Sequence, residues 1–314
     1  MKIIFAEPLG VAPTELEKIK TYFENKGHSF VYYSDRKEGS EEIIKRASEA
    51  DILTISNIPL GKDIISKCQN LKLINVAFTR YDHIDIEYCK NQGISVCNAA
   101  GYSTPAVAEL SLSLAINLYR KILDMDKNTR IPTDRKGLLG QELFGKTVGI
   151  IGAGVIGLAT AKLFHTFGCK IIAYSRTLKK IDWIDFVNID KLLQQSDIVS
   201  LHIPSNAETS NFIDKEKLHA MKKSAILINT ARGAIIDSLA LSNALKNNEI
   251  AGAAIDVYEK EPPLPIDHPL LDAPNTILLP HIAYATKESM LRRLEIVKSN
   301  IDSFLSNNLN NKVV

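Results

Sequence analysis

A glycine-rich turn near the middle of the chain constrains the fold more than any other feature of the sequence. Gly152, Gly154 and Gly157 form the pattern G-x-G-x-x-G, directly after the apolar run 147–151 and directly before a helical pattern that starts near Val155. The first glycine permits a tight turn, the second lets backbone approach a pyrophosphate, and the third lets helix and strand pack closely. The helix N-terminus adds N–H groups and a positive dipole for phosphates. A glycine-rich packing turn is the alternative, but the strand–turn–helix context favours a dinucleotide site.

Apolar runs alternate with amphipathic segments over the first hundred residues. Strands are predicted for 2–7, 29–34, 51–56 and 71–78, and helices for 14–27 and 40–50. This alternation is typical of a parallel sheet with crossover helices.

A second alternation runs from Thr147 to about Leu279. It contains six strand-like runs: "TVGIIG", "KIIAYS", "DIVSLHI", "AILINT", "GAAIDV" and "TILLP". Six such strands after one glycine-rich turn predict a doubly wound nucleotide-binding sheet. Residues 103–122 are predicted as one long helix, 130–146 as a crossing between domains, and 286–308 as a final amphipathic helix.

Composition narrows the possible partners and the compartment. The 314 residues suffice for two domains, and a formal net charge of +2 is too small to indicate nucleic acid or membrane as the main partner. Cys68, Cys89, Cys97 and Cys169 lack the spacing of metal ligands or of a disulfide framework, so we expect reduced thiols and no metal site. The apolar stretch before Glu7 is too short for a signal-peptide core, and a cytoplasmic protein is expected.

The segment "IIAYSRTLKK" follows the glycine-rich turn where dinucleotide-binding proteins often place an acid that hydrogen-bonds the adenosine ribose. Ser175, Arg176 and Thr177 stand there instead, with two lysines shortly behind them. An acid would repel a 2′-phosphate, whereas a guanidinium fork and hydroxyl groups can bind phosphate oxygens. The segment therefore favours NADP over NAD, the alternative being that Arg176 stacks on adenine beside NAD.

Three stretches in the second half end strand-like runs with side chains capable of chemistry. Arg232 follows "LINTA", Glu261 lies in "AIDVYEKEPP" with Asp256 and Glu259, and His281 follows "LLP". The carboxyl ends of parallel strands line the ligand crevice of an open α/β sheet, so these side chains are expected to converge beside the cofactor. Each alone could be a helix-edge charge, a solvated loop acid or a satisfied loop histidine. Three on successive strand ends favour a catalytic site.

Taken in order, these motifs resemble those of the D-isomer-specific 2-hydroxyacid dehydrogenase family. The matching segments are "GQELFGKTVGIIGAGVIG", "LHIPSNAETSNFI", "MKKSAILINTARGAIID", "AAIDVYEKEPPLP" and "LLPHIAYAT", with "YDHIDIEYCKNQGISVCNAAGYSTPAVAEL" upstream, so the resemblance covers nearly the whole chain. It implies an α/β fold of two Rossmann-like domains with doubly wound parallel sheets and a substrate cleft between them. The substrate-binding domain would comprise 1–100 plus 283–314, and the dinucleotide-binding domain 101–282.

The resemblance also implies roles for individual residues. Arg232 would anchor the substrate, His281 would act as the acid/base, and Glu261, the acid followed by Pro262, would be the partner of the histidine. A guanidinium holds planar oxygens in fixed geometry, and a histidine can protonate the oxygen that becomes charged as hydride arrives. A carboxylate against the other ring nitrogen fixes the tautomer. Further cofactor-binding residues are expected to be Val155, Ile156, His202, Pro204, Thr209, Thr230 and Asp256.

The implied reaction is NAD(P)-dependent reduction of a small 2-oxo acid, such as glyoxylate, hydroxypyruvate or pyruvate, to a D-2-hydroxy acid. Backbone N–H groups of the 77–81 loop are expected to bind the substrate carboxylate, with Phe78, Thr79 and Arg80 as contacts. Arg80 stands where the family usually carries glycine, so it either selects a substrate with a second anionic or polar group or points to solvent. A homodimer is expected from the resemblance and from the largely apolar helix 103–122. The alternative function is a non-catalytic dinucleotide sensor or corepressor-like scaffold on the same fold.

Overall fold

The chain divides into two units, of which one is discontinuous in sequence. The computed structural model describes residues 1–131, 133–135, 137–177 and 179–314. Unit 1 consists of Met1–Ser103 and Ala285–Val314, and unit 2 of Thr104–Tyr284. The segment 130–146 therefore lies within unit 2, and the prediction that it crosses between domains is wrong because the chain passes between the units at 103/104 and 284/285.

Unit 1 contains a five-stranded parallel sheet. Its strands are β1 (Lys2–Phe5), β2 (Ser29–Tyr32), β3 (Ile52–Ile55), β4 (Leu73–Val76) and β5 (Ser95–Asn98), in the spatial order β2-β1-β3-β4-β5. Its helices are α1 (Pro13–Glu24), α2 (Ser40–Ala47), α3 (Lys62–Ile65), α4 (Ile86–Asn91) and the last helix of the chain, α11 (Lys287–Leu305). All four residues of β3 and of β4 are buried, as expected for strands of a parallel sheet covered on both faces.

Unit 2 contains a seven-stranded parallel sheet. Its strands are β6 (Thr147–Ile151), β7 (Lys170–Tyr174), β8 (Ile184–Phe186), β9 (Ile198–Leu201), β10 (Ile226–Asn229), β11 (Gly252–Ile255) and β12 (Thr276–Leu278). Its helices are α5 (Thr104–Arg120), α6 (Ile122–Arg130), α7 (Val155–Thr166), α8 (Ile189–Gln195), α9 (Lys215–His219) and α10 (Ser238–Lys246). The spatial order β12-β11-β10-β9-β6-β7-β8 reverses direction between β6 and β9, and this switch point is where a doubly wound sheet opens its ligand crevice.

The structure corrects three predictions about secondary structure. Unit 2 has a seventh strand, β8, and unit 1 has a fifth, β5, neither of which the apolar runs indicated. The predicted helix 103–122 ends at Arg120, because Lys121 adopts a left-handed conformation (φ 51°) before α6 begins. The final helix was predicted over 286–308 and spans Lys287–Leu305, with Thr286 as its N-cap.

The apolar side chains of α5 pack inside unit 2. Leu112, Leu114 and Ala115 are buried, and the helix packs against α7, β10 and β11. These buried side chains belong to the core of unit 2, and the homodimer expected partly from this helix stays a prediction.

No helix among the described residues combines the length and the apolar composition needed to cross a membrane.

Candidate active site

The glycine-rich turn in unit 2 has the geometry that the sequence predicted. Gly152 has φ 102°, and a Cβ added there would lie 2.5 Å from the carbonyl oxygen of His202. A Cβ added at Gly157 would lie 2.0 Å from the carbonyl oxygen of Gly152, whereas a Cβ at Gly154 would meet no heavy atom within 4 Å. Gly152 and Gly157 are thus required by packing, and Gly154 leaves open space at the N-terminus of α7. That open space beside unpaired helix N–H groups fits the pyrophosphate of a dinucleotide.

Residues after β9 form the opposite side of the switch point. The backbone N–H of His202 donates to Ile151 O (2.7 Å), and its Nε2 lies 2.9 Å from Ser200 Oγ. Burial lowers the pKa of His202 to about 4, so the ring is neutral at pH 7 and supplies no positive charge to a phosphate. Thr209 Oγ1 donates to Pro204 O (2.7 Å), which closes the loop that follows this strand.

The basic segment after β7 lies beside the glycine-rich turn. Lys179 Nζ donates to Ala153 O (2.8 Å), so this lysine contacts the turn itself. Arg176 Nη1 lies 3.1 Å from Glu208 Oε2, and both side chains are 74% exposed. An ion pair between two such exposed groups is worth only about 0–1 kcal/mol. The guanidinium is therefore easily redirected towards a more highly charged partner.

Arg232, Glu261 and His281 follow three neighbouring strands. They come after β10, β11 and β12 respectively, and these strands are adjacent in the sheet. Both carboxylate oxygens of Glu261 lie 2.8 Å from His281 Nδ1. Because a carboxylate only accepts, Nδ1–H is the donor, which leaves Nε2 as the ring nitrogen able to exchange a proton with another molecule.

A buried carboxylate fixes the backbone around His281. His281 has φ 57°, a conformation uncommon for a residue other than glycine. Its N–H donates to Asp256 O (2.8 Å), while the N–H groups of Ile282 and Ala283 donate to the Asp256 carboxylate at 2.8 and 2.9 Å. Burial raises the pKa of Asp256, and these two N–H groups oppose that effect. Asp256, expected as a cofactor contact, has its carboxylate directed at the turn that carries His281.

Asn229, which was not singled out from the sequence, braces the turn that carries Arg232. Its Nδ2 donates to Arg232 O (2.8 Å) and its Oδ1 accepts from the N–H of Ala231 (3.0 Å). An asparagine at the end of an apolar strand is a recognised turn former, and that was the available signal. Thr230 Oγ1 lies 3.1 Å from Ser111 Oγ of α5, a contact that is buried.

Glu259 lies apart from this cluster. Its carboxylate accepts a hydrogen bond from Ser238 Oγ and lies 3.4 Å from His268 Nε2. The two acids of "YEKEPP" therefore have different partners, and only Glu261 contacts His281.

The 77–81 loop of unit 1 holds the other expected substrate contacts. Thr79 O accepts from Asn98 Nδ2 (2.8 Å), and the Phe78 ring lies 4.7 Å from the guanidinium of Arg293. Arg80 is 55% exposed and forms a two-pronged ion pair with Asp82, its Nε donating to Asp82 Oδ1 at 2.6 Å. The Arg80 guanidinium holds the pKa of Asp82 below its usual range.

Side chains that could bind a metal ion are not clustered in the part of the chain that the structure describes. Among the described residues no group of three or more His, Cys, Asp and Glu side chains is arranged to hold a metal ion. The four cysteines are buried free thiols, and burial raises the pKa of Cys97 to about 12.

Comparison with known proteins relates these features to one family. Residues 112–283 match the family described as D-isomer specific 2-hydroxyacid dehydrogenase, NAD binding domain. A glyoxylate reductase of Thermofilum pendens is 40% identical over 276 residues, which are 84% of this chain and 81% of that protein. A hydroxypyruvate reductase of Blautia hydrogenotrophica is 32% identical over 97% of each chain.

The fold of this chain is similar to that of proteins whose structures have been solved. An acyclic imino acid reductase in complex with NADPH and D-Arg superposes with a TM-score of 0.90 at 32% identity, covering 100% of both chains.

Proposed function

Because the chain belongs to the D-isomer specific 2-hydroxyacid dehydrogenase family, we propose that Arg232, Glu261 and His281 are the catalytic residues of its reaction. The chain is an oxidoreductase that transfers a hydride between NAD(P)H and a small 2-oxo acid. The observation that supports the assignment of residues is the 2.8 Å contact of His281 Nδ1 with Glu261. The two residues follow β12 and β11, which are consecutive in the sheet with β10, the strand that precedes Arg232. A non-catalytic scaffold is not favoured, since it has no need of this combination.

The residues of the glycine-rich turn suit a nicotinamide dinucleotide. Gly154 and the N-terminus of α7 would hold the pyrophosphate, with Val155 and Ile156 in the first turn of the helix. Residues after β9 and β10, including His202 and Thr230, would line the rest of the crevice. The bound cofactor supplies the hydride.

The chain's own residues supply orientation and the proton. Arg232 would hold the carboxylate of the 2-oxo acid with its planar fork. His281 Nε2 would donate a proton to the substrate oxygen, which becomes an alkoxide as hydride arrives at the adjacent carbon. Glu261 accepts the hydrogen bond from Nδ1–H and so orients the ring, which leaves Nε2 as the nitrogen that would transfer the proton.

Three variants test these roles against a matched control. Arg232→Ala is expected to abolish turnover while the Kd for NADPH stays near that of the parent, because the arginine binds substrate. His281→Ala is expected to lose roughly 10²–10⁴-fold in kcat, the usual effect of removing a positioned acid/base. Glu261→Gln should lower kcat, whereas Glu259→Gln, a change of an acid two residues away, should not.

Turnover is to be measured with glyoxylate, hydroxypyruvate and pyruvate, each with NADPH and with NADH. Near-normal kcat in Arg232→Ala, or equal losses in Glu261→Gln and Glu259→Gln, would overturn the assignment. Absence of turnover in the parent with all three acids would overturn the proposed substrate class.

NADPH is proposed as the preferred cofactor. Ser175 and Arg176 stand where an acid would repel a 2′-phosphate, and Lys179 already contacts the adjacent glycine-rich turn at Ala153 O. Glu208 opposes NADPH binding, because its carboxylate pairs with the Arg176 guanidinium when no phosphate is bound. A doubly charged 2′-phosphate is such a partner.

The ratio of kcat/KM for NADPH and NADH decides this point. The double variant Ser175→Asp, Arg176→Ala should shift the ratio towards NADH, and Glu208→Gln should shift it further towards NADPH. A parent that prefers NADH, or a double variant whose ratio does not move, would contradict the proposal.

A homodimer is proposed on a different surface from the one that the sequence suggested. Five large apolar side chains between residues 122 and 144 are exposed: Ile122, Leu123, Ile131, Leu139 and Phe144. Leu139 and Phe144 are 74% and 78% exposed. Large apolar side chains exposed within one segment of the chain are candidates for an interaction surface.

A further inference from the structure

Two carbonyl groups of the 77–81 loop point towards β5. Thr79 O accepts from Asn98 Nδ2 (2.8 Å), and Phe78 O accepts from the N–H of Ala99 (3.0 Å). A trans peptide is planar and its N–H points opposite to its C=O. The N–H groups of Thr79 and Arg80, which share these two peptide planes, therefore point away from β5.

Asn98 is linked to a chain of side-chain amides. Asn300 Nδ2, in α11, lies 3.0 Å from Asn98 O and 3.1 Å from Asn75 Oδ1. Asn300 Oδ1 accepts from Asn311 Nδ2 (2.8 Å), and Asn75 Nδ2 donates to Val297 O (2.9 Å). Asn75 and Asn300 are fully buried, so a rearrangement that left these amides unpaired would be costly, and the network is held in one arrangement.

Residues 311–314 lie along the outer edge of β5. The N–H of Val313 donates to Val96 O (2.7 Å), and the N–H of Val96 donates to Val314 O (3.0 Å). The N–H of Asn98 itself donates to Asn311 O (3.2 Å). Asn98 is thus held by Asn311 and Asn300 on its backbone, while its side chain holds the loop.

We propose that Asn98, Asn300 and Asn311 are positioning residues for the substrate: they fix the two peptide planes whose N–H groups receive the substrate carboxylate. This inference rests on the proposed function and on the expectation, from the sequence, that backbone N–H groups of the 77–81 loop bind the substrate carboxylate together with Arg232. The hydrogen bonds described for the three side chains are all made within unit 1, whereas the glycine-rich turn belongs to unit 2. Their loss should therefore weaken substrate binding and leave cofactor binding intact.

Steady-state kinetics with glyoxylate and NADPH test this division. In Asn98→Ala the KM for glyoxylate is expected to rise about tenfold, because the loss of one hydrogen bond of ordinary strength changes an equilibrium constant by about that factor. The KM for NADPH and the melting temperature should stay near those of the parent, because the backbone contacts of residue 98 remain. Asn311→Ala, which acts only through Asn300 and the backbone, should give a smaller rise in the same KM.

Asn308→Ala is the matched control, since Asn308 is an exposed asparagine of the same stretch. An unchanged KM for glyoxylate in Asn98→Ala, or an equal rise in both KM values, would overturn the inference while the parent activity upheld the proposed function. A merely structural role would lower the melting temperature without this selective change in KM, and that too would overturn it. A parent without turnover would overturn both.

Discussion

Replacing the second and third glycines of the turn by alanine should separate the needs of the fold from those of the cofactor. A Cβ at Gly157 would lie 2.0 Å from the carbonyl oxygen of Gly152. Ordinary carbon–oxygen contacts are about 3.3–3.6 Å, so backbone must move by about 1.3 Å or more. Overpacking costs typically about 1–3 kcal/mol, and the partner here is backbone that cannot rotate away, so we expect a loss of about 3 kcal/mol.

Gly154→Ala has the opposite expectation. Its Cβ would meet nothing within 4 Å, and its φ of −76° suits alanine. The reduced entropy of the unfolded chain favours alanine by about 0.4–1 kcal/mol, and the poorer helix N-cap costs a similar amount. The free energy of unfolding should change by less than about 0.5 kcal/mol, while the new methyl group occupies the space where a pyrophosphate approaches.

Thermal unfolding without cofactor and the KM for NADPH together test this pair. Gly157→Ala should lower the melting temperature by about 6 °C or more, from about 2–4 °C per kcal/mol for a large domain. Gly154→Ala should keep the melting temperature of the parent and raise the KM for NADPH. If Gly157→Ala unfolds like the parent, or if Gly154→Ala loses as much stability, the division of roles drawn from the glycine contacts is wrong.

Three further predictions concern pH, the His281 turn and assembly. Burial opposes the charge of Asp197, but hydrogen bonds from Lys222 and from the N–H of Thr147 hold its pKa below the usual value. Its contribution to stability is present above the unfolded-state pKa and is lost as pH falls through the lower, folded-state pKa. The difference in melting temperature between parent and Asp197→Asn should therefore shrink as pH falls below about 4, the ordinary pKa of an aspartate. Asp256→Asn leaves one buried N–H beneath the turn without its acceptor, so kcat should fall with little change in the KM for NADPH; a change confined to that KM would instead support a direct cofactor contact. In sedimentation equilibrium at micromolar concentration the parent should be a dimer and the double variant Leu139→Ser, Phe144→Ser a monomer, while Ile266→Ser, a change at a side chain 97% exposed elsewhere, should remain dimeric; a monomeric parent would refute the proposed interface.

Apolar content separates most of the strands that the sequence predicts from the two that it misses. Strands such as β3, β4, β9 and β10 are buried at every residue, and each has three apolar residues out of four, so they stand out from their surroundings. The missed strands, β5 and β8, lie at the edges of their sheets in the spatial order of strands. Their sequences, "SVCN" and "IDF", are short and include half-exposed or exposed residues, so no apolar run marks them.

The reacting groups at the strand ends can be predicted locally, but their orientation cannot. "LLPHIA" places a histidine after a strand, and nothing in these letters indicates φ 57°, which depends on the carboxylate of Asp256, 26 and 27 residues before its two N–H donors. The same holds in unit 1, where Asn75 contacts Val297 and Asn300 across 222 and 225 residues. An amide that will orient a loop has the same local sequence signal as one that caps a turn, because its partner is supplied by tertiary packing. Variants of the strand-end residues should remove a reacting group. Variants of their distant polar partners should instead change substrate affinity or kcat while every reacting group stays in the chain.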